Sequence, residues 1–298
     1  MSLPEFVHLW PATLPEASRL LAQYGPEARV LAGGTDLLVK MKQRRLVPRY
    51  VVNIKRIPGL DYLEHEPGHG LRIGALVTLE DLNRSVEVRK LYPVLHDAVS
   101  CMGTLEIRNR GTVAGNICNA SPAAETVPSL LVLGARASVL GPEKSRSISI
   151  EELVTGPGRT ALAPGELVSE IEIPEPPAAF GAYDKFSLRR MDLAIAGAAV
   201  MLAFDGEVCR KASIVLSAVS PTAIRAGEAE ALLQGRSIRE PLIREAARAA
   251  AAQANPKADL GGTVEHKRSA VEQLVQRVIR QALERAGKKE SIAGGDGS

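Results

Sequence analysis

Val30-Leu31-Ala32-Gly33-Gly34-Thr35-Asp36-Leu37 closes a short apolar run and opens a segment with helical periodicity. About eighty residues on, Gly111-Thr112-Val113-Ala114-Gly115-Asn116 follows the basic stretch Arg108-Asn109-Arg110. Glycine lets backbone N–H groups converge on one point and lets a ligand approach with no Cβ in the way. Around the first turn the local signals are regular. Thr13 with Glu16 three positions later is a capping-box pattern for a helix over 13–24, and Gly25-Pro26 ends it. Arg29 to Ala32 is then a short buried strand. Thr35 and Asp36 are candidate caps for a helix from Leu37 to Arg45, and Tyr50 to Ile54 is a second strand parallel to the first. Residues 1–56 are thus expected to form a β-α-β unit. The first glycine turn sits at its strand-to-helix joint, where backbone donors and the helix dipole favour an anion. A pair of such turns in one chain is what a diphosphate needs, so a dinucleotide cofactor is the leading expectation.

Further along, Leu71 to Gly74 is a strand, Thr78 caps a helix, and 87–102 is helical with Pro93 at a kink or start. Val127 to Leu133 is helical, and Ala137 to Leu140 and Leu167 to Ile173 are strands. Pro174-Glu175-Pro176-Pro177 is a linker signal. Beyond it, Ala182 to Leu188, Ala194 to Phe204 and Ala212 to Val219 form three strands, with Asp205-Gly206 a hairpin turn between the last two. Two helices follow, and in the last Val271, Leu274, Val275, Val278 and Ala282 lie on one stripe. An antiparallel sheet backed by helices is the natural packing for this segment. The expected organisation is 1–56, 57–177, 178–288, and a disordered polar tail over 289–298.

With 298 residues the chain suffices for one large domain or two to three smaller ones. Apolar residues make up 45 % and aromatics only 3 %, so a substantial core must be built from Leu, Val, Ile and Ala. A net charge of +3 with no face-sized basic block does not suggest nucleic-acid binding. The densest basic cluster, Lys40-Met41-Lys42-Gln43-Arg44-Arg45, is expected to be the solvated end of a helix. Cys101, Cys118 and Cys209 form no CxxC pair, which argues against a zinc site or an iron–sulfur cluster held by this chain alone and fits a reducing compartment. The N-terminus has no signal-peptide pattern. The longest apolar run, Leu193 to Phe204, is too short to span a bilayer. A cytoplasmic protein with no membrane span is expected.

The first turn lacks GxGxxG and GxxxxGK[ST], so neither a Rossmann NAD site nor a P-loop is supported. It offers the N–H groups of Gly33, Gly34 and Thr35 and the Thr35 hydroxyl; a plain strand-to-helix turn would look the same on its own. The second turn offers the side chains of Thr112 and Asn116, with Gly115 removing a Cβ. Glu125 could accept hydrogen bonds from ribose or adenine-side hydroxyls, though a lone glutamate is more often a solvated surface carboxylate or a helix cap. His8, His65, His69, His96 and His266 are scattered, and no metal site or acid–base set is apparent. That suits electron transfer, in which a cofactor carries the reaction.

These residues together resemble the FAD-binding medium subunit of the molybdenum hydroxylases, the xanthine dehydrogenase and carbon monoxide dehydrogenase group. The resemblance runs over nearly the whole chain. It rests on Val30 to Leu37, Val51 to Gly59, Ile107 to Asn116, Ala120-Ser121-Pro122, Lys185 to Arg190 with Asp192 to Ile195, and Ser217 to Thr222. It implies an α+β fold: a two-part FAD-binding domain of the PCMH/CO dehydrogenase flavoprotein type, then a C-terminal three-stranded antiparallel sheet with helices. By the resemblance, Val30, Leu31, Ala32, Gly33, Gly34, Thr35, Asp36 and Leu37, with Thr112, Val113, Ala114, Gly115 and Asn116, would hold the FAD pyrophosphate and ribityl chain. Glu125 would lie near the adenosine half, Met102 near the adenine end, Val168 against the cofactor and Lys185 near the flavin ring. Ala114 departs from the family, which usually has glycine there; the turn survives if that position is not left-handed.

The function so implied is an electron-transfer oxidoreductase subunit carrying no catalytic or metal-binding residues of its own. Substrate would be oxidised at a molybdopterin cofactor on a large partner subunit. Electrons would pass through [2Fe-2S] clusters on a small partner subunit to FAD, and then to NAD or another acceptor, in a dimer of heterotrimers. The alternative is a stand-alone FAD-dependent oxidoreductase acting directly on a small substrate.

Overall fold

A computed structural model describes residues 2–175 and 179–288. The expected disordered tail and the Pro176-Pro177 part of the linker lie outside the described residues. The chain divides into two compact units: Met1–Arg84 with Thr104–Ala120 and Gly134–Glu175, and Ser85–Gly103 with Ser121–Leu133 and Pro176–Ser298.

The first unit opens with β1 (Val7–Leu9), α1 (Leu14–Tyr24), β2 (Ala28–Leu31), α2 (Leu37–Lys42) and β3 (Tyr50–Asn53). The strands form a parallel sheet in the order β1-β3-β2. Successive side chains of the central strand point to opposite faces. Val52 accordingly packs with Ala17 and Leu21 of α1, and Val51 with Met41 of α2 and Leu31. The expected parallel pair is present, and three-residue β1 adds a strand too short to announce itself. Thr13 caps α1 by accepting from the Glu16 N–H at 3.2 Å, and Gly25, at φ +50°, ends it. The expected cap on α2 does not form: Asp36 makes no side-chain capping bond. The helix also stops at Lys42 rather than Arg45, with Arg44 turned to φ +57°.

The rest of this unit comprises β4 (Leu63–Glu66), β5 (Gly70–Gly74), α3 (Leu79–Arg84), α6 (Leu105–Arg108), α7 (Val113–Asn119), β6 (Arg136–Leu140), β7 (Ser145–Ser149), α9 (Ile150–Leu153), β8 (Val154–Gly156), β9 (Arg159–Thr160) and β10 (Leu167–Ile173). Five strands make an antiparallel sheet in the order β4-β5-β10-β6-β7, and β8 and β9 pair as a small ribbon. Sequence patterning finds the three inner strands and misses β4 and β7, which lie at the edges. Their sequences, Leu-Glu-His-Glu and Ser-Arg-Ser-Ile-Ser, carry charge and hydroxyls where a core strand carries apolar runs. Central β10 bulges against β6 between Val168 and Glu170.

The second unit contains α4 (Val86–Leu91), α5 (Pro93–Ser100), α8 (Thr126–Val132), β11 (Ala179–Phe186), β12 (Ala196–Asp205), β13 (Val208–Ser217), β14 (Ile224–Arg225), α10 (Gly227–Leu233), α11 (Glu240–Gln253) and α12 (Val264–Arg285). The expected three-stranded antiparallel sheet is β11-β12-β13, extended by the two-residue β14. Asp205 pairs with Val208 across the Gly206-Glu207 turn, with Gly206 at φ +53°. Three helices follow rather than two, because α10 is too short for a clear period. The single helix read over 87–102 is two: Pro93 starts α5, and the residue before a proline is pushed out of the helical region. The α12 stripe packs with Ala196, Ala198, Val200 and Leu202 of β12. Among the described residues no helix is long and apolar enough to cross a membrane.

Candidate cofactor site

The two glycine turns, some eighty residues apart in sequence, touch. A Cβ on Gly33 would overlap the carbonyl oxygen of Arg110 and come within 2.9 Å of the Gly111 Cα. Gly33 is therefore glycine because another backbone passes against it. Gly34 is glycine for a different reason, a φ of +79°. From the other side, a Cβ on Gly111 would lie 3.1 Å from Leu79 and 3.5 Å from the Thr35 hydroxyl oxygen. Among the described residues, the N–H groups of Gly33, Gly34 and Thr35 donate to no protein acceptor. Buried backbone donors in native proteins nearly always find a partner in protein, water or ligand, and these three sit on half-buried residues with none from the protein. Three consecutive free donors at a glycine turn suit an anionic group, and this is the observation by which the site fits a dinucleotide diphosphate.

The approach of the second turn is fixed from behind. The Arg110 and Gly111 N–H groups both donate to the Ile107 carbonyl, at 3.1 and 2.7 Å, and the Leu79 N–H donates to the Gly111 carbonyl at 2.9 Å. Arg108 Nε donates to buried Glu80 at 2.8 Å, and Arg84 Nε to the same carboxylate at 3.0 Å. Burial pushes the Glu80 pKa up, but the bonds from Arg108, Asn83 and Arg84 outweigh it and hold the carboxyl below its usual range. Glu80 and Arg108 were not legible as partners, being 28 residues apart with no local signal.

Thr112 caps α7, its Oγ1 accepting from the Gly115 N–H at 3.0 Å, so that donor is engaged within the turn. A Cβ on Gly115 would sit 2.8 Å from the same oxygen. Val113 and Ala114 are buried in the first turn of α7, and Asn116 is half-buried on it. Ala114 is not among the described residues with positive φ, so its departure from glycine leaves the turn intact. Val168 is buried at the β10 bulge, and Val30, Leu31, Ala32, Asp36 and Leu37 flank the first turn. Two residues to which the sequence reading gives no cofactor role, Lys40 as a solvated helix end and Asn119 as part of a turn, are joined beside these elements. Lys40 Nζ, on α2, donates to the side-chain oxygen of Asn119, the last residue of α7, at 2.6 Å.

Met102, Glu125 and Lys185 belong to the second unit. Met102 is buried. Lys185 Nζ donates to Glu125 Oε1 at 2.9 Å and to the Asp192 carbonyl at 2.8 Å, with both side chains of the pair over 90 % buried. The structure thus pairs two residues to which the resemblance gives separate roles, Glu125 near the adenosine half and Lys185 near the flavin ring. Cys101 lies close enough to feel both charges; burial pushes its thiol up to about 11, opposed by Lys185. Burial also raises the Tyr183 phenol well above its ordinary value, with Glu125 adding to the shift.

Residues 4–176 match the family model described as the FAD binding domain in molybdopterin dehydrogenase, and residues 181–282 match that of the CO dehydrogenase flavoprotein C-terminal domain. The chain is 33 % identical to the 6-hydroxypseudooxynicotine dehydrogenase complex subunit alpha of Paenarthrobacter nicotinovorans, over 98 % of this chain and 99 % of that protein. It is 32 % identical to the carbon monoxide dehydrogenase medium chain of Hydrogenophaga pseudoflava, over 95 % and 98 % of the two. A solved structure of carbon monoxide dehydrogenase from Hydrogenophaga pseudoflava superposes with a TM-score of 0.92 at 33 % identity, covering 96 % of this chain and 99 % of that one. With two domain models in tandem and relatives matched along nearly their full length, the chain belongs to the family of FAD-binding medium subunits of the molybdenum hydroxylases.

Proposed function

We propose that this chain is the electron-transfer subunit of a multi-subunit molybdenum hydroxylase, receiving electrons from iron–sulfur clusters on a small partner subunit and delivering them through FAD to NAD or another acceptor. The carrying observation is the run of free N–H donors at Gly33, Gly34 and Thr35, set beside the backbone of the second glycine turn in a chain of this family. FAD, when bound, supplies hydride and one-electron chemistry that no side chain provides. The protein's own part is to bind and orient. Residues 30–37 and 112–116 would hold the pyrophosphate and ribityl chain, and Val168 would add apolar contact. Met102, Glu125 and Lys185 remain cofactor residues in this proposal by resemblance, the last two acting as one neutral pair.

The relatives' names, a dehydrogenase complex subunit and a medium chain, support an assembly with a molybdopterin-binding large subunit. The proposal extends to a dimer of heterotrimers in the cytoplasm, and to 1–56 and 57–177 as two FAD-binding subdomains ahead of a C-terminal domain over 178–288. The test is the visible spectrum of the complex as isolated, with chromatography of the ligand released by heat. Stoichiometric FAD is expected. A heat extract that contains no FAD, even after FAD has been added to the complex, overturns the proposal. Bleaching of the flavin by a small substrate in the absence of the partner chains would favour the stand-alone oxidoreductase.

A further inference from the structure

The helices that leave the two glycine turns are both short, α2 with six residues and α7 with seven. Neither is long enough to hold its own orientation. At their starts they are brought together by the packing of Gly33 on the backbone of Arg110 and Gly111. That is one point of contact between them; further along, α2 packs through Met41 with Val51 and Leu31, and α7 packs against β9 and β10, so the two helices lean on different partners. The second point is the Lys40–Asn119 hydrogen bond, which joins the later part of α2 to the last residue of α7 across 79 residues of sequence. At 1.5 Å of rise per residue it stands roughly 10 Å from the glycine contact, far enough to fix an angle. Asn119 is itself held: the following residue, Ala120, takes the left-handed conformation at φ +48°, and its carbonyl accepts from the Gly158 N–H at 2.9 Å.

We infer that Lys40 and Asn119 form a latch that sets the angle between the helices leaving the two glycine turns, making Lys40 a positioning residue for FAD rather than the solvated helix end its basic neighbours suggest. The inference rests on the assignment of the two turns to FAD. Lys40 acts through Asn119, so removing either partner should have the same consequence for the cofactor.

The experiment uses the full chain in the complex in which it is isolated. Flavin is removed, and FAD is titrated back by flavin fluorescence and visible absorbance, alongside thermal unfolding of the flavin-free protein. Lys40→Met and Asn119→Leu should each weaken FAD binding by about tenfold, the equivalent of one lost hydrogen bond in the positioned state. The double variant should be no weaker than either single one. Lys40→Arg, which keeps a donor within reach, should restore most of the affinity. Unchanged affinity in both single variants overturns the latch, as does a loss confined to the thermal midpoint. If Lys40→Met loses affinity while Asn119→Leu keeps it, Lys40 acts on the cofactor directly and the latch is wrong. A wild-type complex that takes up no FAD instead overturns the assignment of the turns.

Discussion

Gly33 and Gly34 show how one dipeptide can answer two separate demands. Gly34 supplies a backbone angle, and Gly33 supplies the absence of a side chain where Arg110 passes. Sequence reading assigns both glycines to the cofactor, because the neighbour that excludes a Cβ is about eighty residues away and invisible locally. The structure separates the two causes and so yields a prediction. Gly33→Ala should destabilise the flavin-free protein by about 1–3 kcal/mol, as over-packing against an immovable backbone does. Denaturant unfolding of the flavin-stripped variant checks this; full stability with flavin binding alone lost would return the residue to a purely cofactor role. The Lys185–Glu125 pair carries the complementary lesson. Each residue was singled out separately through the family resemblance, but nothing in the sequence says that they meet. Lys185→Met leaves a carboxylate buried without its counter-charge, at a cost of about 3–5 kcal/mol. Adding Glu125→Leu should recover most of that loss in the same unfolding measurement.

At the scale of elements, capping and periodicity locate much of the fold. The α1 cap at Thr13, the hairpin at Gly206 and the α12 stripe are local events, and each occurs where its signal stands. What escapes is what depends on distant partners: edge strands β4 and β7, and the four-residue α6, too short for a period of its own. Buried Glu80 on α3 anchors α6 through Arg108, and α6 in turn presents the Arg110–Gly111 backbone to Gly33. The Glu80 pKa is lower in the folded protein than the ordinary glutamate value of 4.5. Its stabilisation is therefore fully present above that value and is lost as pH falls through the folded pKa. Glu80→Gln should cost about 1–3 kcal/mol at neutral pH, where Arg108 loses its ionic partner. The variant should also show a flatter fall in stability with acidification below pH 4.5 than the wild type does. Urea midpoints across that range test both; parallel curves would show that Glu80 does not contribute to acid sensitivity.

For the whole molecule, the family was legible because the motifs occur in a fixed order over nearly the full chain, and either glycine turn alone would have said little. The reason is physical. A diphosphate needs donors from more than one place, so the sequence signature is split, and its pieces are informative only together. The same reasoning makes a prediction about ligand selectivity. A ligand that binds only the folded state raises its unfolding free energy by RT ln(1 + [L]/Kd), about 2.7 kcal/mol at a hundredfold excess over Kd. Restoring FAD to the stripped complex at that excess should therefore raise its thermal midpoint by on the order of 5 °C. FMN carries the same ring and ribityl chain but a single phosphate and no adenosine, so it engages fewer of the free donors at Gly33, Gly34 and Thr35. At equal concentration it should give a much smaller shift. Equal shifts from FMN and FAD would mean that the ring and ribityl chain bind without help from the second phosphate, and the two turns would then need another explanation.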